Sequence, residues 1–271
     1  MNRRSRISPL IAVIEAEFKE FILRDLTSIL AVILLTYVFT SFLAVAGLAV
    51  GRDEEGFYKL TGYWDPVAYQ AIGSSIIVIS MLIVSSIGQY INSASLSGRL
   101  EMLLASPARL SVVLISTSIP MMIFGLVVFT LTTAPLMYVA THTHGPYVAI
   151  ISTAVLSIGM IPLFIMAVLV GLVIARIRSP ILLNLVQALV FTFSGALYPL
   201  TILPEILRIF SQALPIVYIV DPMRSLLITG DLGIIGLKIP ALLIIALAYG
   251  SIGAILYRRF SSALRRGGLN V

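Results

Sequence analysis

The sequence predicts an all-α integral membrane protein with six transmembrane helices, and three observations predict it. Hydrophobic residues make up 59% of 271 and charged residues 11%, roughly half the charged share of a soluble domain, so a soluble fold would be left with an apolar surface. Six stretches, at 29–51, 67–91, 110–138, 148–175, 181–200 and 239–257, are each long enough to cross ~30 Å of hydrocarbon at ~1.5 Å per residue. None of the six contains Lys, Arg, Asp, Glu or His.

The basic residues orient this bundle, because Lys and Arg collect in cytoplasmic segments. With the N-terminus inside, six spans return the C-terminus inside. Thirteen of the eighteen Lys and Arg then lie in the cytoplasm, and five lie outside: Arg52, Lys59, Arg208, Arg224 and Lys238. The expected location is the cell membrane, multi-pass, with both termini cytoplasmic. The net charge of +6 follows from residues flanking apolar spans. It builds no basic soluble face, so no nucleic-acid partner is expected.

Residues 1–28 form a charged lead with Glu15, Glu17, Glu20 and Asp25. That length and acidity exclude a signal peptide, even though Ala44-Val-Ala46 resembles a cleavage site. Leu10, Ile14, Phe18, Phe21 and Leu26 fall near one helix face. Glu15–Lys19 and Glu20–Arg24 are i,i+4 pairs in the favourable order. The lead reads as an amphipathic interfacial helix, either a simple anchor for the first span or an elbow that also touches a cytoplasmic partner. In the first span, Gly47-x-x-x-Gly51 is a possible close-packing seam, a spacing that also arises by chance in apolar helices. Asp53, Glu54 and Glu55 read as a solvated acidic turn.

After the second span comes Leu96-Ser-Gly-Arg-Leu-Glu-Met-Leu-Leu-Ala-Ser-Pro107. Leucines at 96, 100, 103 and 104 follow the stripe of one helix face, with Arg99 and Glu101 off it. Pro107 stops the helix by disfavouring an α conformation at Ser106. The basic-residue count places this helix in the cytoplasm, where something outside the bilayer is expected to grip it. Between spans three and four, His142 and His144 sit in Thr141-His-Thr-His-Gly-Pro146 and read as solvated loop residues; a metal site needs more ligands. On the fifth span Asn184 and Gln187 are the best buried polar pair, either bonding helix to helix or lining a substrate path.

The run Phe193-Ser-Gly-Ala-Leu-Tyr-Pro199 then breaks the pattern, with further prolines at 204 and 215. Pro204 suits a helix first turn, and Ile206, Phe210 and Leu214 make an apolar stripe. Asp221 reads as an N-cap with Pro222 at the first helical position and Arg224 beyond. These two helices are too short and too polar to cross, which suggests re-entrant helices on the outer side. Gly195, Tyr198, Pro199, Pro204, Asp221, Pro222 and Arg224 mark this motif. Residues 258–271 form a basic cytoplasmic tail.

The chain holds no cysteine, hence no thiol chemistry, and no phosphate-binding loop. No catalytic, cofactor or metal site can be assembled. Ion-coupled carriers place ionisable groups at mid-membrane, and these spans place none. Uphill movement of a solute would need another subunit to supply the energy.

The lead, the six spans, Gly98-Arg-Leu-Glu-Met-Leu-Leu-Ala-Ser-Pro107 and the outer run to Asp221-Pro-Met-Arg224 together resemble the membrane subunit of ABC-2 type (type V) ATP-binding-cassette exporters. The similarity covers nearly the whole chain. It implies a coupling helix after span two that docks in a cleft of separate ATPase subunits, which bind the ATP. Leu96, Gly98, Arg99, Leu100, Glu101, Leu104, Ser106 and Pro107 belong to it, with Arg99 and Glu101 as polar contacts and Leu100 and Leu104 facing the apolar floor or the cleft. It implies a second permease copy, identical or not, since one six-span bundle offers half a pathway. The substrate it implies is lipophilic, a drug-like molecule or lipid first and a lipid-linked glycan second. Tyr198, Tyr218, Phe193 and Phe210 offer aromatic surface to such a substrate, although aromatics at a membrane interface also serve as anchors. A non-transporting membrane scaffold and an ion-coupled carrier are the remaining readings.

Overall fold

Asp65-Pro66 opens the central helix. In the computed structural model, residues 54–98, 118–131, 146–177, 181–230 and 233–267 are described, with Ser179 and scattered residues between 14 and 45. Helix α1 spans Glu54–Thr61, and α2 spans Pro66–Leu96. The Asp65 carboxylate accepts the Ala68 N–H at 2.9 Å, and Pro66 takes the first helical position, where a missing N–H costs nothing. The helix ends on Ser97, with Gly98 at φ 70° in the left-handed region, a conformation that favours glycine and terminates helices.

Buried Ile72, Ile76, Ile79, Ile83, Ile87 and Ile91 run along one side of α2 at the three- and four-residue steps of a single face. They share one core with α3, Ser118–Leu131, and α4, Pro146–Ile177. Gly125 of α3 nestles between Ile79 of α2 and Met160 of α4, and Gly171 of α4 receives Ile91. Small residues let membrane helices approach closely where no hydrophobic effect pulls them together. These contacts ascend both helices together, so α2 and α4 run parallel. Pro162 lies inside α4, tolerated because membrane neighbours can re-satisfy a freed carbonyl.

Helix α5, Ile181–Phe193, runs antiparallel to α2: Leu183 packs on Gly88, and the Ala196 carbonyl beyond its end meets Gly73. The expectation of a helical fifth span through residue 200 is not met. The Ser194 hydroxyl accepts the Ala196 N–H at 3.1 Å, and Gly195 adopts φ 68°, which turns the chain. Thirteen helical residues give roughly 20 Å, short of the hydrocarbon thickness. Asn184 is exposed and Gln187 half-buried, so the pair expected to be buried lies on the outward side of α5.

A 3-10 turn at Leu200–Ile202 leads to α6, Glu205–Ala213, and a corner at 214–216. Helix α7, Val217–Arg224, continues as a π turn over Ser225–Thr229. The two arms meet at 93°. Pro204 caps α6 rather than entering its first turn. Ile206 and Phe210 face away from the chain. Asp221 and Pro222 do not start a helix: α7 begins four residues earlier and carries both inside it. Buried Ile216, Val217, Ile219 and Val220 hold that earlier turn against the core, with Ile219 on Gly159 of α4. Burial of four aliphatic side chains, ~1.5–3 kcal/mol each, outweighs a local capping preference of ~1 kcal/mol. Pro222 removes one N–H donor from α7, and the ladder widens to the π turn within three residues.

Helix α8, Gly233–Gly267, carries the sixth apolar stretch and runs on into the basic tail. It is peripheral: 11% of its apolar window is buried against the chain, compared with 72% for α2. The Tyr249 hydroxyl donates to the Ala213 carbonyl at 3.0 Å, whereas Lys238 pairs with Asp221 at 3.4 Å. From Lys238 to Tyr249 the helix climbs roughly 16 Å, so the corner after Ala213 dips well below the level of Asp221.

Every regular element among the described residues is helical. Three helical segments, Ala68–Leu96, Ile150–Ile174 and Gly236–Leu256, are long and apolar enough to cross a bilayer. The described residues between 30 and 45, in the first expected span, are all helical. Glu54 and Glu55, expected in an acidic turn, occupy the first turn of α1; Asp53 lies outside the described residues. In the lead, Lys19 donates to Glu15 at 2.6 Å, and that hydrogen bond, then the charge, holds the Glu15 carboxyl below its ordinary value. Glu20–Arg24, Gly47, Gly51, His142 and His144 lie outside the described residues.

Candidate functional site

The motif between Gly195 and Arg224 comes together around one buried cation. Arg224 ends α7 with 2% of its surface exposed. A buried charge must be paired or fully hydrogen-bonded, because its desolvation costs several kcal/mol. The turn after α5 supplies the partners. Gly195 and Ala196 point consecutive carbonyls inward, and the guanidinium donates to Gly195 at 2.8 Å and to Ala196. Its Nε donates to the Tyr69 carbonyl in the first turn of α2 at 3.2 Å. The guanidinium carbon stands 3.4 Å from the centroid of the Tyr69 ring, a cation–π contact that gains strength where water is excluded.

One side chain therefore ties the start of α2, the turn after α5 and the end of α7. Gly73 makes the closure possible: a Cβ there would overlap the Ala196 carbonyl and the Arg224 guanidinium. Gln70, one turn before, donates to the Leu197 carbonyl at 2.8 Å, and its own carbonyl oxygen is buried without a hydrogen bond among the described residues. A second, more exposed pair flanks the clamp. Lys238 of α8 meets Asp221 and lies 5.5 Å from the Tyr218 ring centroid. The cluster carries no nucleophile with a base beside it. Its chemistry is that of a fastening.

Of the outer residues singled out from sequence, Gly195, Asp221 and Arg224 belong to this cluster. Pro222 is buried beside it in α7. Tyr198 donates to the Thr192 carbonyl and, with Pro199, frames the turn. Pro204 lies on exposed surface at the start of α6. Tyr69, Gln70, Gly73 and Lys238 escaped the sequence reading. The one signal in the sequence was a glycine inside an apolar helix, which marks close backbone approach.

The Leu96–Pro107 motif is described only at its start. Leu96 is the exposed last residue of α2 and Gly98, at φ 70°, follows the helix end. Arg99, Leu100, Glu101, Leu104, Ser106 and Pro107 lie outside the described residues.

No curated protein matches the sequence. The family model of the ABC-2 type transporter matches residues 10–228, a range that takes in most of the lead, both motifs and the residues that hold Arg224. The chain belongs to the ABC-2 type transporter family, as a multi-pass membrane permease.

Proposed function

We propose that this chain is the six-span permease subunit of an ATP-driven exporter, moving a lipophilic molecule or lipid out of the cytoplasm or inner leaflet of the cell membrane. The observation that carries the reading is the family match over residues 10–228 on helices whose one buried charge among the described residues, Arg224, is consumed by carbonyls. No ionisable group is left at mid-span to couple a proton or sodium gradient, so ATP hydrolysis in a partner subunit supplies the energy.

The remaining parts follow from placement. The α2 N-terminus, the Arg224 clamp and the α7–α8 ion pair gather at one end of the bundle, and Leu96 and the basic end of α8 at the other. Positive charge inside supports a cytoplasmic Leu96 end with both termini inside, and with it a coupling role toward the ATPase for the segment after Gly98. Arg99 and Glu101 form its polar contacts there, and Leu100 and Leu104 its apolar ones. The bent α6–α7 pair, with its corner dipping below Asp221, acts as a re-entrant element on the outer side. A second permease copy covers α5, because an exposed amide such as Asn184 on an apolar helix needs a partner in a membrane. Outward Ile206, Ile209 and Phe210 of α6 favour a lipophilic substrate, with a lipid-linked glycan as the alternative within the same family.

The test is transport in proteoliposomes holding the chain and its ATPase. ATP should drive accumulation of a lipophilic dye with no ion gradient imposed. Accumulation that follows a pH or sodium gradient and ignores ATP would overturn the reading.

A further inference from the structure

Between the first and second spans the chain carries an exposed aromatic pair on a rigid support. Trp64 and Tyr58 are stacked, with ring centroids 4.2 Å apart and planes 15° from parallel, yet 58% of Trp64 and 41% of Tyr58 stay exposed. Leu60 of the same helix is also exposed, as are Glu55 and Lys59. The pair is not on a loose loop. Asp65, next to Trp64, caps α2. Thr61 holds the link by accepting the Tyr63 N–H at 3.1 Å. Phe57 meets the Tyr69 ring edge-on at 5.5 Å, and Tyr63 meets it at 5.7 Å. The other side of that ring story is the Arg224 guanidinium.

Position selects the occupant of this surface. The membrane-crossing part of α2 begins at Ala68, four residues after Trp64, so the pair stands where the lipid-facing surface of the chain gives way to water. A Trp–Tyr pair has apolar bodies and polar tips, and that boundary satisfies both. We infer that α1 and the Tyr58–Trp64 stack form an interfacial anchor whose partner is the headgroup–acyl boundary of the bilayer, fixing the depth of the α2 N-terminus and, through Tyr69, of the Arg224 clamp. A water-borne sugar ring would also suit a flat aromatic pair, but the start of an apolar span four residues away favours lipid.

Trp64 is the one tryptophan in the chain, so indole fluorescence reports on this site without labelling. The full chain is placed in phosphatidylcholine nanodiscs, with the Trp64→Phe chain as the blank. Emission is expected to shift to the blue of free tryptophan. It should be lost most with lipid brominated near the headgroup end of its acyl chains, less with lipid brominated at the chain ends, and least with aqueous iodide. Loss that is greatest with iodide would overturn the inference and leave the pair open to a soluble ligand. Indifference to all three quenchers would overturn it in favour of burial against a second copy. Greatest loss with deep bromines would overturn it by placing the pair inside the hydrocarbon.

Discussion

Replacing Arg224 by Met keeps an unbranched apolar stem and removes the guanidinium. Three carbonyls, of Tyr69, Gly195 and Ala196, lose a donor at a residue that is 2% exposed. A buried acceptor left without a partner costs about 1–3 kcal/mol. The cation–π contact on Tyr69 adds about 1–2 kcal/mol where it is desolvated. Against this, the substitution relieves the desolvation of the charge itself, a cost of several kcal/mol for an ion taken out of water. Because the carbonyls remain and the charge was fully bonded, we expect a net loss of about 3 kcal/mol, or roughly 6–12 °C in apparent melting temperature for a chain of this size. Heating the detergent-solubilised protein and following the surviving monodisperse fraction by size exclusion measures it. Gly73→Ala should fall by a similar amount for a different reason, since its new methyl overlaps the same guanidinium and the Ala196 carbonyl. The double variant should lose clearly less than the sum, as contacting residues do. A loss within about 0.5 kcal/mol of wild type for Arg224→Met, the range of an ordinary surface change, would refute the argument that this residue fastens the three segments.

Other perturbations follow from the same geometry. Asp221→Asn should cost at most about 1 kcal/mol in the same heating assay, because the pair with Lys238 is 33% and 43% exposed and such ion pairs contribute little. Met160→Ala, at the point where α2, α3 and α4 meet, should cost about 2–5 kcal/mol through the cavity it leaves. Asn184→Leu should leave the thermal stability of one subunit nearly unchanged but weaken pairing by roughly 0.6–2 kcal/mol, seen as a shift from dimer to monomer in native mass spectrometry; an unchanged oligomer would show that α5 does not face a second copy.

The long spans were legible in the sequence because hydropathy and the lack of charge are local signals. Ala68–Leu96, Ile150–Ile174 and Gly236–Leu256 fall where unbroken apolar stretches put them. The fifth was misread past Phe193 because Ala196 and Leu197 keep hydropathy high, while a single Ser194 hydroxyl and a left-handed Gly195 end the helix. Asp221-Pro222 has the chemistry of a helix start, yet Ile216, Val217, Ile219 and Val220 gain more by folding into the core one turn earlier. Helix α1 was hidden because Glu54 and Glu55, which open it, read equally well as part of a solvated turn. Arg224 was legible as part of a motif but its role was not. That role depends on Tyr69, 155 positions away in sequence, and on a carbonyl pair that exists only once α5 has turned. Proximity of that kind leaves no periodic trace in the chain.

The central claim, that a partner ATPase drives this permease through the cytoplasmic segment after Gly98, is tested most directly by ATP turnover of the purified complex with and without Glu101→Arg. The account predicts that reversing this charge weakens ATPase capture at least tenfold, the effect of ~1.4 kcal/mol, or abolishes substrate-stimulated turnover while Arg224 and the outer clamp are untouched. Capture and stimulated turnover equal to wild type would contradict it.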